Sequence, residues 1–122
     1  MTRKATGQIA YYAGEAAEAS VARIYERAGL LIAHTRWRGP SGEIDLVARD
    51  GDTIVFVEVK KSNSFDRAAA QLSPRQCRRI CASAEAFVAD EPRGALTNMR
   101  FDVALVNGQG AVQIIENAIM VF

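Results

Sequence analysis

The chain has 122 residues, 49% of them hydrophobic and 24% charged, with a formal net charge of +1. That size and balance fit one folded domain with its own core, and they exclude a disordered chain or a small disulfide scaffold. The near-zero net charge excludes global basicity as a source of nucleic-acid affinity, so any anion-binding surface has to be a local patch.

Taken in order, residues 1–7 read as a short flexible leader, and residues 8–122 as a single domain. Residues 8–28 carry a helical pattern, with Ala17, Val21, Ile24, Tyr25 and Ala28 on one face and Gly29 placed to end the helix. Residues 30–37 read as a first strand. A turn cluster, Arg38-Gly39-Pro40-Ser41-Gly42, separates it from a second strand over 43–50, and Asp50-Gly51 signals a hairpin. The third strand, 53–61, contains Ile54-Val55-Phe56-Val57, apolar on both faces as a central strand should be. Residues 62–73 read as a polar loop. Ser73-Pro74 starts a second helix running to about residue 89, with Ser as the cap and Pro at the first position. Strands over 99–106 and 111–116 complete the order α-β-β-β-α-β-β. The first three strands predict an antiparallel meander. The crossover through the second helix predicts that strands three and four are parallel. The expected architecture is α/β, a central mixed sheet with a helix on each face.

From Lys60 to Arg79 six cations (Lys60, Lys61, Arg67, Arg75, Arg78, Arg79) face one acid, Asp66, which is the local patch that the net charge hides. Cys77 and Cys81 lie four apart on one predicted helix and are not a disulfide framework; with a single histidine, His34, they do not make a zinc site. Free thiols point to a reducing cytoplasm. The longest apolar runs, such as 54–57 and 118–121, are too short to span a bilayer, so no membrane partner is expected.

The hairpin supports a geometric expectation. With Asp50-Gly51 as a two-residue turn, Arg49 pairs with Asp52, Asp45 faces Phe56, and Glu58 is its diagonal neighbour at roughly 7–8 Å. Alternation along the strands then puts Asp45, Glu58 and Lys60 on one side. A slip of one residue would send Asp45 to the other face. Phosphodiester hydrolysis needs a hard cation to stabilise charge and activate water, and hard cations prefer carboxylate oxygen. A lysine two residues beyond the second acid lies on the same face, where it can orient the water or stabilise developing charge.

The segments Gly14-Glu15-Ala16-Ala17, Trp37-Arg38, Gly42-Glu43-Ile44-Asp45-Leu46-Val47, Val55-Phe56-Val57-Glu58-Val59-Lys60, Arg100-Phe101-Asp102-Val103 and Ile115-Glu116-Asn117-Ala118 resemble the YraN-like family. That family lies in the PD-(D/E)XK nuclease superfamily and is related to archaeal Holliday-junction resolvases. The resemblance covers nearly the whole chain from about residue 10, and it rests mainly on the spaced GEID and FVEVK motifs. It implies a restriction-endonuclease-like core. It also implies Mg²⁺ or Mn²⁺ held by Asp45, Glu58 and the backbone carbonyl of Val59, with Lys60 as the catalytic lysine and Glu15 as an accessory acid. The implied activity is endonucleolytic hydrolysis of DNA, branched or recombining DNA included, with a homodimer left open. This sequence departs from relatives at Lys61-Ser62, where many carry Thr-Arg, and at Gln76, where a lysine is frequent.

Arg36, Trp37, Arg38, Lys61, Arg75, Gln76 and Arg79 are the candidate nucleic-acid contacts: cations for phosphates, a tryptophan for stacking on a base, a glutamine for a polar contact. Two other readings remain at this point. One is a nucleic-acid-binding module that kept the fold and lost catalysis. The other is an interaction scaffold using a sheet edge or the apolar end Ile119-Met120-Val121-Phe122.

Overall fold

A computed structural model describes residues 3–118, and side chains from residue 14 onward. The sheet is built outward from β3 (Thr53–Lys61), the middle of five strands in the order β1-β2-β3-β4-β5. Its β-branched run is covered on both sides. Ile54 and Phe56 enter one core, Val55 and Val57 the other. Each such buried side chain contributes about 1.5–3 kcal/mol relative to exposure, so β3 can be nothing but central.

β1 (Leu31–Gly39) and β2 (Gly42–Asp50) form the antiparallel meander with β3, and β4 (Asn98–Val106) runs parallel to β3, as the crossover predicts. β5 (Val112–Ile115) returns antiparallel at the far edge. Helix α1 (Arg3–Arg27) covers one face through Ala17, Val21 and Tyr25. It begins within the stretch assigned to a leader, whose residues 1 and 2 lie outside the described residues. Helix α3 (Pro74–Val88) covers the other face through Cys77, Ile80, Ala84, Phe87 and Val88. Ser73 and Gln76 close its first turn as a reciprocal capping box, with Pro74 just inside.

The polar loop expected over 62–73 is in part helical: α2 (Phe65–Ala70) starts at Ser64, whose hydroxyl accepts from the Arg67 N–H. It buries only Ala68, so it has almost no apolar period to read in the sequence. Gly94–Leu96 adds a 3₁₀ turn before β4. The apolar stretch 119–122 lies outside the described residues. Among those described, no helix is long and apolar enough to cross a membrane.

One buried polar group ties the two ends of the chain to the sheet. Asp102 on β4 is fully buried. It accepts from Tyr25 Oη of α1 (2.8 Å), twice from the Arg100 guanidinium (both 3.0 Å), and from the Asn117 N–H (2.9 Å). A buried carboxylate is costly alone but tolerable with this many donors. Burial first and Asp102's negative charge and hydrogen bond next hold the Tyr25 hydroxyl firmly protonated, well above the usual phenol range. Asp102→Ala leaves four donor groups, on three residues, without an acceptor and should cost about 3–5 kcal/mol. Tyr25→Phe removes one donor and should cost about 1–2 kcal/mol. Urea denaturation of the two variants checks the order.

Candidate metal and active site

Two acids on adjacent strands meet where β2 and β3 stop pairing. The last ladder pair is Leu46 with Val57, and Asp45 and Glu58 follow it on either strand. Beyond it, Asp45 Oδ2 takes the Val59 N–H at 2.8 Å, so a side chain replaces the backbone acceptor. Glu58 is buried, and its Oε1 lies 3.1 Å from Lys60 Nζ. Its second oxygen, Oε2, is buried with no hydrogen-bond partner. A buried acceptor left unmade costs about 1–3 kcal/mol, so this oxygen marks a place built for a partner.

The register differs from the expected one by two residues. Asp50 pairs with Thr53, making Gly51-Asp52 the turn rather than Asp50-Gly51. Gly51 takes a φ of +57°, which glycine adopts without strain, and so claims the first central position. A shift of two preserves every side chain's face, whereas a shift of one would not. Asp45 is therefore nearly opposite Glu58, closer than a diagonal neighbour.

The proximity is visible electrostatically. Burial, and then the charge of Glu58, push the Asp45 carboxyl up to about 7, against the Val59 N–H and Lys60, which favour its anion.

Glu15, the expected accessory acid, is exposed on α1. The α1 acid that feels Asp45 is Glu18, one turn later. Burial raises its pKa, the Arg36 hydrogen bond lowers it, and the Asp45 charge raises it again. Glu18 Oε2 accepts from Arg36 Nε at 2.9 Å. Glu15 is implied by the resemblance alone; helical periodicity places Glu15 on the flank of the apolar face of α1 and Glu18 nearer its border, so periodicity does not select Glu15. Among the described residues, no group of three or more His, Cys, Asp or Glu side chains converges as a ready metal cage. Two carboxylates with one orphan oxygen still fit Mg²⁺ or Mn²⁺. Such ions commonly take one or two carboxylates and keep several waters.

The candidate nucleic-acid residues divide. Arg38, Lys61 and Arg75 are exposed, as is Arg78. Four others are engaged within the fold. Trp37 packs edge-on against Phe87 (5.1 Å) and lies partly buried against the α3-side core. Gln76 is used in the helix cap, and Arg36 holds Glu18. Arg79 donates to the Glu43 carbonyl at 3.0 Å, and Ser83 donates to the Gly42 carbonyl at 2.9 Å. Gly42, at a φ of +138°, lies so close to Arg79 that a Cβ would clash with it. Helix α3 thus clamps the start of β2, immediately before Asp45.

The sequence model of the uncharacterised protein family UPF0102 matches residues 17–106. The chain belongs to family UPF0102. Among its relatives, a UPF0102 protein of Roseobacter denitrificans is 62% identical over 93% of this chain and 88% of its own length. A UPF0102 protein of Cereibacter sphaeroides is 59% identical over 93% of this chain and 97% of its own. One of Ruegeria pomeroyi is 59% identical over 88% of each. UPF0102 is thus the YraN-like family that the GEID and FVEVK segments resemble. Its match begins at Ala17, so it takes in Glu18, Asp45, Glu58 and Lys60 and leaves out Glu15.

The Asp45 environment makes a pH prediction for this UPF0102 protein. Its folded pKa of about 7 lies above the unfolded value, so the folded chain holds more protons across that interval. Stability without metal should therefore fall as pH rises from about 4 to about 7 and level off above. Asp45→Asn keeps an oxygen for the Val59 N–H and removes the titration. It should flatten the profile and stabilise the metal-free protein by on the order of 2 kcal/mol at about pH 8. Urea melts in chelator across this pH range measure it. A variant no more stable than the parent above neutrality would contradict the stated environment.

Proposed function

We propose that this UPF0102 protein is a divalent-cation-dependent nuclease that hydrolyses phosphodiester bonds in DNA. The observation that carries the reading is Glu58: a buried carboxylate with one oxygen on Lys60, the other without a partner, and Asp45 beside it. Asp45 and Glu58 would hold Mg²⁺ or Mn²⁺, with the Val59 carbonyl and Glu18 as further donors. The cation would supply the charge that stabilises phosphoryl oxygens and lowers the pKa of the attacking water.

The protein's own groups do the rest. Lys60, kept on the Glu58 face by its ion pair, is placed to orient a water and to stabilise charge developing on the phosphate. The Val59 N–H fixes one Asp45 oxygen, which leaves the other to face the cation. Exposed Arg38, Lys61, Arg75 and Arg78 supply cations for the DNA backbone without sequence preference. We include branched DNA among the substrates because a two-fold symmetric junction suits a homodimer. We place the protein in the cytoplasm, on the free thiols of Cys77 and Cys81.

Purified protein incubated with Mn²⁺ and junction, flap and linear DNA should cleave at least one of them. Asp45→Ala, Glu58→Gln and Lys60→Met should each lower the rate by about 10²-fold or more. An Asp45→Ala preparation as active as the parent would show that the cleavage comes from elsewhere. Salt-sensitive binding of DNA with no cleavage in any divalent cation would favour a binding module that has lost catalysis.

A further inference from the structure

The first residues of β2 lie beyond the ladder that fixes the rest of the strand. On the β3 side pairing begins only at Leu46 with Val57, so residues 42–45 have no ladder partner there. On the other side Gly42, Glu43 and Ile44 pair with Gly39, Arg38 and Trp37 of β1, which is itself the edge of the sheet. Asp45 has a ladder partner on neither side. The segment that carries the first acid is thus the end of a two-stranded ribbon, and such a ribbon is marginal without further support.

The support comes from α3, in two parts. Ile44 is fully buried in the core cluster that holds Ile80, Ala84 and Phe87, and Trp37 meets Phe87 edge-on. Apolar burial is non-directional, so it holds the ribbon down without fixing how the backbone is turned. The second part is directional. Arg79 and Ser83, one turn apart on α3, donate to the consecutive carbonyls of Glu43 (3.0 Å) and Gly42 (2.9 Å). Ser83 is fully buried, so its hydroxyl serves this bond and not solvent. Arg79 is half-buried, unlike the exposed Arg75 and Arg78 of the same helix. Two glycines make the room: a Cβ at Gly42 would run into the Arg79 side chain, and one at Gly39 would run into the Trp37 ring and stand 3.3 Å from Ser83 Oγ. Downstream, Asp45 Oδ2 takes the Val59 N–H. The run from Gly42 to Asp45 is therefore pinned at one end by α3 and at the other by β3.

We propose that Arg79 and Ser83 are positioning residues of the cation site: through the Glu43 and Gly42 carbonyls they set the turn of the backbone that aims the Asp45 carboxylate at a cation shared with Glu58. The proposal rests on the reading of Asp45 and Glu58 as cation ligands, and it assigns the Arg79 guanidinium to the protein backbone rather than to a DNA phosphate. Only Ile44 stands between Glu43 and Asp45. Its side chain is close-packed, with little room to absorb a rotation, so a turn at Glu43 passes on to Asp45. Mg²⁺-like ions demand near-ideal octahedral geometry, and a ligand serves such a site only when held within about 0.5 Å of its place.

Calorimetric titration of Mn²⁺ into the parent protein, Asp45→Asn, Arg79→Met, Arg79→Lys and Ser83→Ala, each shown to be folded by its urea transition, tests this directly. Arg79→Met keeps an apolar stem and removes the donors, and Arg79→Lys restores one. Arg79→Met and Ser83→Ala should each weaken Mn²⁺ binding by about tenfold, and Arg79→Lys should recover most of the loss. Ser83→Ala, which removes a single oxygen, carries the comparison should Arg79→Met fail to fold. A second arm measures binding of a short labelled duplex in chelator, where Arg79→Met should keep the parental affinity and salt dependence. A lower urea midpoint with parental Mn²⁺ affinity in Arg79→Met and Ser83→Ala would make the two bonds purely structural and overturns the positioning role, while weakened binding in Asp45→Asn still upholds the carboxylate site. Weaker duplex binding by Arg79→Met, with a salt slope lower by about one and parental Mn²⁺ affinity, would make Arg79 a phosphate contact and also overturns it. Undiminished Mn²⁺ binding by Asp45→Asn overturns both the positioning role and the site.

Discussion

The structure depends on two carboxylates held side by side at the point where a sheet runs out of backbone pairing. From Leu46 opposite Val57 to Asp50 opposite Thr53, β2 and β3 are paired by the backbone, with apolar side chains in both cores. At Asp45 and Glu58 the ladder ends, a side chain takes the Val59 N–H, and a buried oxygen is left without a partner. The arrangement costs free energy in an isolated chain, because each desolvated charge raises the cost of the other. A fold that carries such a pair next to a lysine retains it for something other than stability, and perturbed carboxyls at functional sites are the usual form this takes.

Much of this was legible in the sequence, for reasons that can be named. The double-sided apolar run Ile54-Val55-Phe56-Val57 identifies the central strand because no other environment tolerates it. Ser73-Pro74 and Gln76 mark the start of α3 through capping chemistry that is local to three residues. The hairpin between β2 and β3 was legible in kind but not in register. Asp50-Gly51 and Gly51-Asp52 are both acceptable turn pairs, and only backbone geometry selects the second. The face of Asp45 survived because the discrepancy was even.

What the sequence could not carry is tertiary. Nothing in the composition distinguishes Glu15 from Glu18, one turn apart on the same helix. Glu18 differs in holding Arg36 of β1, whose backbone is left-handed. Trp37 between two arginines reads as a surface residue ready to stack, yet the edge-on contact with Phe87 and the close approach of Gly39 to its ring make it part of the wall. Arg79 reads as one of a row of helical cations, yet Gly42 leaves a gap that its guanidinium fills. Such assignments depend on contacts between residues 18 to 50 positions apart, Arg36 with Glu18, Arg79 with Glu43 and Trp37 with Phe87, beyond the reach of any local pattern.

Placement of the α1 acid connects the stability of the fold to the site. Ala17, Val21 and Tyr25 form the buried stripe of α1, and Tyr25 is locked at one end of it by the fully buried Asp102. Glu18 stands seven residues, about two helical turns, before Tyr25, so both project from nearly the same side of a rigid rod. The Tyr25–Asp102 bond thus sets the rotation and height of α1 on the sheet, and with them the distance from Glu18 to Arg36 and Asp45. Asp102 on β4 belongs to the same sheet as Glu58 on β3, their strands being paired in parallel. One sheet therefore carries both the anchor that fixes the helix and the Asp45–Glu58 pair. The supporting contact is buried and hydrogen-bonded at both carboxylate oxygens, so it holds α1 against the sheet at a fixed rotation.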